Sequence, residues 1–336
     1  MKEERQQSSK KSKKLRNPLV HEANLIQKEA DKKKYGNPQS KEYISQIRLK
    51  YKDWHDANIA LIGPGASSES QEQEQEIIYR RVELFEAYKS FLDQQHYAEH
   101  FDSRSNLHST ALEEFLYYLF KDLVSVFGKN TLIGKSHTFK YIFFVAPGYS
   151  KMLERPYARI ETKDHDFVIG VTVEASFRAS TPLELNKDKG SESVLITEEP
   201  TDYDQVTVTD DAETHLFDIP VVAIECKTYL DKNMLEGLSR AAEELKARNP
   251  NGLYIVVMEW IKLSEAVNIR KYKVDQIYIL RKQKNTDREY RFLESYNKNP
   301  IDSEVVWHLF STVRHHLTTD WTGGLEHGVR RGWLID

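Results

Sequence analysis

The chain has 336 residues, 39% of them hydrophobic and 30% charged, with a net charge of -4. That length holds one large domain or two ordinary ones, and the near balance of charge confines any nucleic-acid contact to a local patch. A single cysteine excludes an intrachain disulfide and a cysteine-based zinc site. No run approaches the roughly 20 apolar residues of a membrane span. The first residues lack the apolar core of a secretion signal, so a cytoplasmic protein without a membrane partner is expected.

Residues 1–16 carry seven basic and two acidic side chains and almost nothing apolar. They read as a flexible basic arm, either solubilising or phosphate-contacting. Residues 17–104 read as a helical N-terminal region. From Ser40, Ile44, Ile47, Tyr51 and Trp54 recur at helical spacing up to Ile62-Gly63-Pro64-Gly65. Ala66-Ser67-Ser68 then reads as a linker. Glu69 to Gln95 predicts a longer helix with Ile78, Val82, Phe85, Tyr88 and Leu92 as its buried stripe. Thr110 to Phe127 predicts another. Thr110 and Glu113 have the spacing of a capping box, which gives Glu113 a structural task at the helix start. Glu114 is left without one, so it is either a solvated residue or a carboxylate beside a cleft.

After Gly128 the pattern changes to sheet. Phe139–Ala146 is a predicted strand closed by Pro147-Gly148, and Tyr157–Ser176 is a second, in which alternation puts Asp164 and Asp166 on one face. Residues 180–216 are polar and acidic and read as an insertion, with two short β-like pieces at Val194–Thr197 and Val206–Thr209. Asp218–Leu230 (DIPVVAIECKTYL) has the continuous apolar character of a buried central strand. It ends, however, in Glu225-Cys226-Lys227. Glu225 and Lys227 share one face, and opposite charges at the end of such a strand are costly unless paired, metal-bound or open to a cleft. Asp231 can cap a helix with a stripe at Met234, Leu235, Leu238, Ala241, Ala242 and Leu245, stopped by Asn249-Pro250. Leu253–Trp260 is the next strand, and strand–helix–strand gives a βαβ unit and a partly parallel sheet. Asp275–Leu280 adds a strand, and residues 301–336 hold a last helix (Ser303–Thr319) and a tail.

Hydrolysis of a phosphodiester needs a hard cation, which carboxylate oxygens suit, and positive charge beside the phosphate. An Asp on one strand and Glu-x-Lys on its neighbour supply both. Twelve histidines raise the question of zinc. His315 and His316 face apart on a helix, however, and His96 and His100 lack a third partner, so zinc is rejected. No Gly-x-x-x-x-Gly-Lys is present, so ATP-driven translocation finds no support. Between Arg270 and Arg291 eight basic residues face three acidic ones. Arg270, Lys271, Lys273, Arg281, Lys282 and Lys284 are the candidate DNA contacts there, against the alternative of a plain solvated face.

With Asp166 as first acid and Glu225 and Lys227 as the E-x-K pair, the chain resembles the PD-(D/E)XK nuclease superfamily, although His165 replaces the proline. Leu107–Leu119, Lys163–Gly170 and Ala223–Met234 resemble type II restriction endonucleases of the DdeI and BbvCI kind, a branch that includes enzymes built from two different subunits. The resemblance covers roughly residues 105–260. It implies an α/β fold: a mixed central sheet flanked by helices as a restriction-endonuclease-like core (residues 105–300), with the helical N-terminal region attached. It also implies magnesium-dependent, sequence-specific cleavage of double-stranded DNA, with Asp166 and Glu225 as metal ligands and Lys227 as the catalytic cation. In the superfamily an acid on the helix before the sheet supports the metal, and Glu114 matches that position. One such site cuts one strand, so double-strand cleavage implies either sequential nicking or a second subunit, identical or different, and the second subunit is expected. The rival expectations are a catalytically silent DNA-binding protein on the same fold and a repair or transposition nuclease.

Overall fold

Helices form along the expected apolar stripes, and most are closed by side chains close to hand in the sequence. The computed structural model describes residues 17–65, 70–101, 103–128, 131–154, 157–177, 213–321, 329–330 and 332. The basic arm, the linker at 66–68 and both β-like pieces of the acidic insertion lie outside the described residues. The chain opens with α1 (Val20–Ala30), then α2 (Pro38–Ala60) and α3 (Gln71–Leu92). Pro38 occupies the first turn of α2, where a missing N–H costs nothing, and Asn37 caps it by accepting from the Ser40 N–H. Ser70 and Gln73 close α3 with a reciprocal capping box. Helix α1 has no apolar period to announce it, because its buried residues are His21, Leu25 and Lys28.

The central helix α4 spans Leu107–Val124 and starts three residues before the expected Thr110. Its N-cap is Asn106, in the left-handed region at φ 56°. Thr110 therefore lies inside the first turn, its hydroxyl donating to the Asn106 carbonyl at 2.6 Å. The Thr110–Glu113 capping box is not made, and this corrects the role expected for Glu113.

The sheet contains β1 (Thr131–Val145), β2 (Tyr157–Phe177) and β3 (Glu213–Leu230); after the helix α5 (Lys232–Lys246) come β4 (Leu253–Ile261) and β5 (Gln276–Ile279). Helix α6 (Ser303–Thr318) follows. The strand order is β1-β2-β3-β4-β5, with the β1–β2 and β2–β3 pairs antiparallel and the β3–β4 and β4–β5 pairs parallel. This is the mixed sheet expected, with β3–α5–β4 as its βαβ crossover. Asp231 caps α5 by accepting from the Met234 N–H.

Each face of the sheet is covered. Phe115, Leu116, Leu119 and Phe120 of α4 pack under Phe167, Ile224, Ile255 and Val257, in one core shared with α1 to α3 and α6. On the other face Leu235, Leu238, Ala242 and Leu245 of α5 cover Ala223, Tyr254, Val256 and Met258. Full burial of each large apolar side chain contributes about 1.5–3 kcal/mol, and central strands covered on both faces need their unbroken apolar runs.

One feature of register positions everything that follows. Pairing of β2 with β3 ends at Phe167↔Ile224. Beyond it β2 continues against β1, from His165↔Ser136 to Tyr157↔Val145, while β3 continues against β4, from Glu225↔Val256 onward. The sheet forks there, and Asp166 and Glu225 are the first residues on its two branches.

Candidate active site

The fork leaves the ends of two buried strands facing a gap, and the E-x-K pair lies across it from Asp166. Lys227 Nζ donates to Asp166 Oδ2 at 2.6 Å and to Glu225 Oε2 at 3.1 Å. The Cys226 backbone N–H donates to the same Asp166 oxygen at 3.0 Å. Burial alone would raise the Glu225 carboxyl, but the hydrogen bond with His165 and the charge of Lys227 hold it below its ordinary range. Burial would likewise lower Lys227, and the charges of Asp166 and Glu225 outweigh it and raise its pKa. The ammonium is thus held between two carboxylates, which fixes a positive charge at the fork.

His165, in the place of the motif's proline, has a contact of its own. Its Nδ1 lies 2.9 Å from Glu225 Oε1, and both side chains are buried. An ionised carboxylate only accepts, so His165 donates. Both Glu225 oxygens are therefore oriented, one by His165 and one by Lys227. Asp164, sharing a face with Asp166 by alternation, lies instead on the exposed β1–β2 ribbon against His137.

Glu113 and Glu114 exchange the places expected of them. Glu114 points away from the fork into the helical region, where it accepts four hydrogen bonds: from His21 N at 2.9 Å, Glu22 N at 3.1 Å, Tyr51 Oη at 2.8 Å and Tyr118 Oη at 2.5 Å. The first two are orphan donors in the opening turn of α1, whose own N-cap Leu19 offers no side-chain bond. The carboxylate of α4 thus caps α1 from 92 residues away. This accounts for all four of its lone-pair sites and corrects the placement of Glu114 beside the metal. Glu114→Gln is expected to lower stability by about 1–3 kcal/mol, because an amide cannot accept from all four donors. It should leave the metal requirement of any cleavage unchanged; thermal unfolding and a magnesium titration check the two halves.

Glu113, one residue earlier, faces the fork. Burial and the negative charge of Asp166 push its carboxyl up to about 7, against the opposing pull of Lys135 and Lys227. Lys135 Nζ reaches Glu113 Oε2 at 3.3 Å. Lys135 arrives there because β1 has a bulge between Gly134 and Ser136, with Gly134 at φ 107°. The site therefore contains Asp166, Glu225 and Lys227, and in addition Glu113, Lys135 and His165, none of which the sequence assigned to it. Gly134 before a lysine in a β-like stretch was the available sign of the bulge.

The basic segment is divided by the fold. Arg270, Lys271 and Lys273 are exposed on the connection before β5, where the Lys273 N–H donates to Ser239 of α5. Lys282 and Lys284 are exposed beyond β5 and paired with Asp302 and Glu265. Arg281 is fully buried, its Nε 3.2 Å from Glu259 and its Nη1 2.8 Å from Glu86. Its expected role as a DNA contact is corrected: no part of it is exposed to a duplex.

Among the described residues no helix is long and apolar enough to cross a membrane. The profile of the Bpu10I restriction endonuclease family matches residues 104–215 and 201–333, more than half of the chain. The solved structure of the native BbvCI A2B2 tetramer is similar in fold, with a TM-score of 0.59 and 19% identity over 91% of this chain and 98% of that one. No curated protein matches.

Proposed function

The chain belongs to the Bpu10I restriction endonuclease family, and from that premise we propose that it is a catalytically active subunit of a type II enzyme that hydrolyses double-stranded DNA with magnesium. The observation that carries this reading is the Lys227 ammonium held between Asp166 and Glu225 at the fork. A silent copy has no use for a costly, partly buried arrangement of one cation and two acids.

The donor set fits a hard cation. Asp166 and Glu225 offer carboxylate oxygens on the two branches, and Glu113 adds a third carboxylate whose ionisation is opposed by Asp166. Asp166 and Glu225 would hold the metal, which, when bound, would supply charge for the phosphate and make its water more acidic. The rest is done by the chain itself. Lys227 supplies positive charge beside the attacked phosphate and a donor that holds the attacking water. His165 keeps Oε1 of Glu225 occupied, which limits rotation of the carboxylate. Lys135 partly offsets the charge of Glu113.

One constellation cuts one strand at a time, so in this reading a second subunit takes the other, in place of sequential nicking by one chain. The A2B2 composition of the BbvCI assembly supports an arrangement with a different partner chain. The test is a digest of supercoiled plasmid with magnesium or with EDTA, followed by end mapping. Magnesium-dependent nicking at a defined site by this chain alone, becoming double-strand cleavage with its partner, is the expected result. Tight binding with the plasmid left intact under all conditions would instead identify a silent DNA-binding protein.

Glu113 gives a pH prediction. Its folded-state pKa is raised above the unfolded value, so its protonated form favours folding, and that contribution is lost as pH rises from the ordinary carboxylate range through about 7. In EDTA, Glu113→Gln should therefore be more stable than the parent at pH 8, by about 3 kcal/mol at most, and equal to it near pH 4. Chemical unfolding at the two pH values measures this. A variant with no pH-dependent advantage would remove Glu113 from the charge cluster.

A further inference from the structure

Beside the fork lies a cavity of about 220 Å³ whose walls include Phe101, Asn106, His108, Tyr229, Arg288 and Arg291. We propose that it seats a backbone phosphate of the DNA strand, next along from the one being cut, between the guanidinium groups of Arg288 and Arg291. This rests on the nuclease reading above.

Position is the first argument. Tyr229 follows Lys227 by two residues on β3, about 7 Å along a strand. Ser109, also in the wall, precedes Glu113 by one turn of α4, about 6 Å. Phosphates of one DNA strand advance by about 3.4 Å of helix axis each, so a strand with one phosphate at Lys227 carries its neighbours past this cavity.

Charge is the second. Among the described residues neither Arg288 nor Arg291 is paired with a carboxylate, whereas Arg281 of the same segment is fully neutralised by Glu259 and Glu86. The Nε atoms of both arginines are buried without a hydrogen-bond partner in the described residues. Burial and the proximity of Arg288 hold the Arg291 guanidinium below its usual range, a strain that an anion between them would relieve. Asp93, whose charge acts on Arg291, accepts a hydrogen bond from Lys298 at 3.1 Å. His108, pushed down to about 3 by burial and by Lys89, adds no charge of its own at neutral pH.

Preorganisation is the third. The Arg288 guanidinium stacks on the buried Trp260 ring, 4.7 Å from its centroid, so its donors are fixed before any ligand arrives. The 18-residue α4 begins at this wall, and its N-cap Asn106 makes no side-chain cap bond. First-turn N–H groups and the positive end of the helix therefore add to the two arginines.

The test is binding of the full-length chain to a labelled duplex of random sequence in calcium, over a salt series, for Arg288→Gln, Arg291→Gln, their double variant and Arg288→Lys. Each Gln variant should weaken binding roughly ten- to a hundredfold and flatten the log–log salt slope by about 1. Arg288→Lys, which keeps the charge, should retain the slope. Equal thermal midpoints separate these effects from misfolding, and Arg291→Gln, away from the Trp260 stack, carries the test if Arg288 variants are unstable. If the double variant binds with the parent's affinity and slope while the parent cuts DNA, the phosphate seat is overturned and the nuclease reading stands. A parent that neither binds nor cuts DNA, alone or with its partner, overturns both.

Discussion

Glu225→Gln and Lys227→Met are each expected to slow strand cleavage by about a hundred- to a thousandfold, the effect of removing one preorganised charge from a phosphoryl site. Duplex binding in calcium should stay within a few fold of the parent. The two side chains act on different parts of the reaction but are held by each other. Lys227 donates to Glu225 at 3.1 Å and to Asp166 at 2.6 Å, so removing either takes away one of the two contacts that hold its partner. Their losses should therefore be far from additive: the double variant should be little slower than the worse single one. Single-turnover cleavage with and without saturating magnesium measures this. Cutting by Glu225→Gln at near the parent's rate would remove the E-x-K pair from the chemistry.

The second large effect lies away from the fork. Glu259 on β4 is completely buried between Lys89 of α3, at 2.5 Å, and Arg281, at 3.2 Å, and neither cation is exposed. Arg281 also bonds Glu86 of α3 and the Asn299 carbonyl, so these charges fasten the N-terminal helices to the sheet and to the approach to α6. Glu259→Gln leaves the buried Lys89 without its counter-charge and Arg281 with Glu86 alone, and should cost about 3–5 kcal/mol. That is a midpoint lowered by roughly 1–3 M urea. Replacing all three, as Lys89→Met, Glu259→Leu and Arg281→Met together, should recover most of the loss, because no uncompensated charge remains. A midpoint unmoved in Glu259→Gln would show that the cluster is solvated in solution.

What could be read in the sequence follows the range of the forces involved. Helix α3, the βαβ unit and the buried strand β3 depend on local periodicity and nearby caps, and each appeared in the string of residues. Glu225 and Lys227 were visible because charges ending an apolar strand conflict with their surroundings. Glu113, Lys135 and His165 were not, because their meaning depends on contacts made across the fold. Thr110–Glu113 has a capping-box spacing, and only the extra turn of helix back to Leu107 removes it. Glu114 satisfies donors 92 and 93 residues away, a relation no spacing rule contains. Arg281 shows the same limit from the other side. Its neighbours in sequence are cationic and exposed, and its acidic partner Glu86 is 195 residues distant. Helix α1 went unseen because it buries a histidine and a lysine along with one leucine.

The fork also has the geometry of a lever with unequal arms. Phe167 and Ile224, both buried, form its fulcrum. Asp166 stands one residue from it, about 3.3 Å, while the free end of the β1–β2 ribbon at Tyr157 stands ten residues away, roughly 33 Å along the strand. If the ribbon swings as a rigid rod, displacement at its tip reaches the carboxylate reduced about tenfold. A tip movement of about 3 Å shifts Asp166 by only about 0.3 Å, comparable to the spread in ligand distances that a calcium shell tolerates and a magnesium shell does not. On such a swing, coarse motion of the outer ribbon would be filtered before it reached the distance between the two acids.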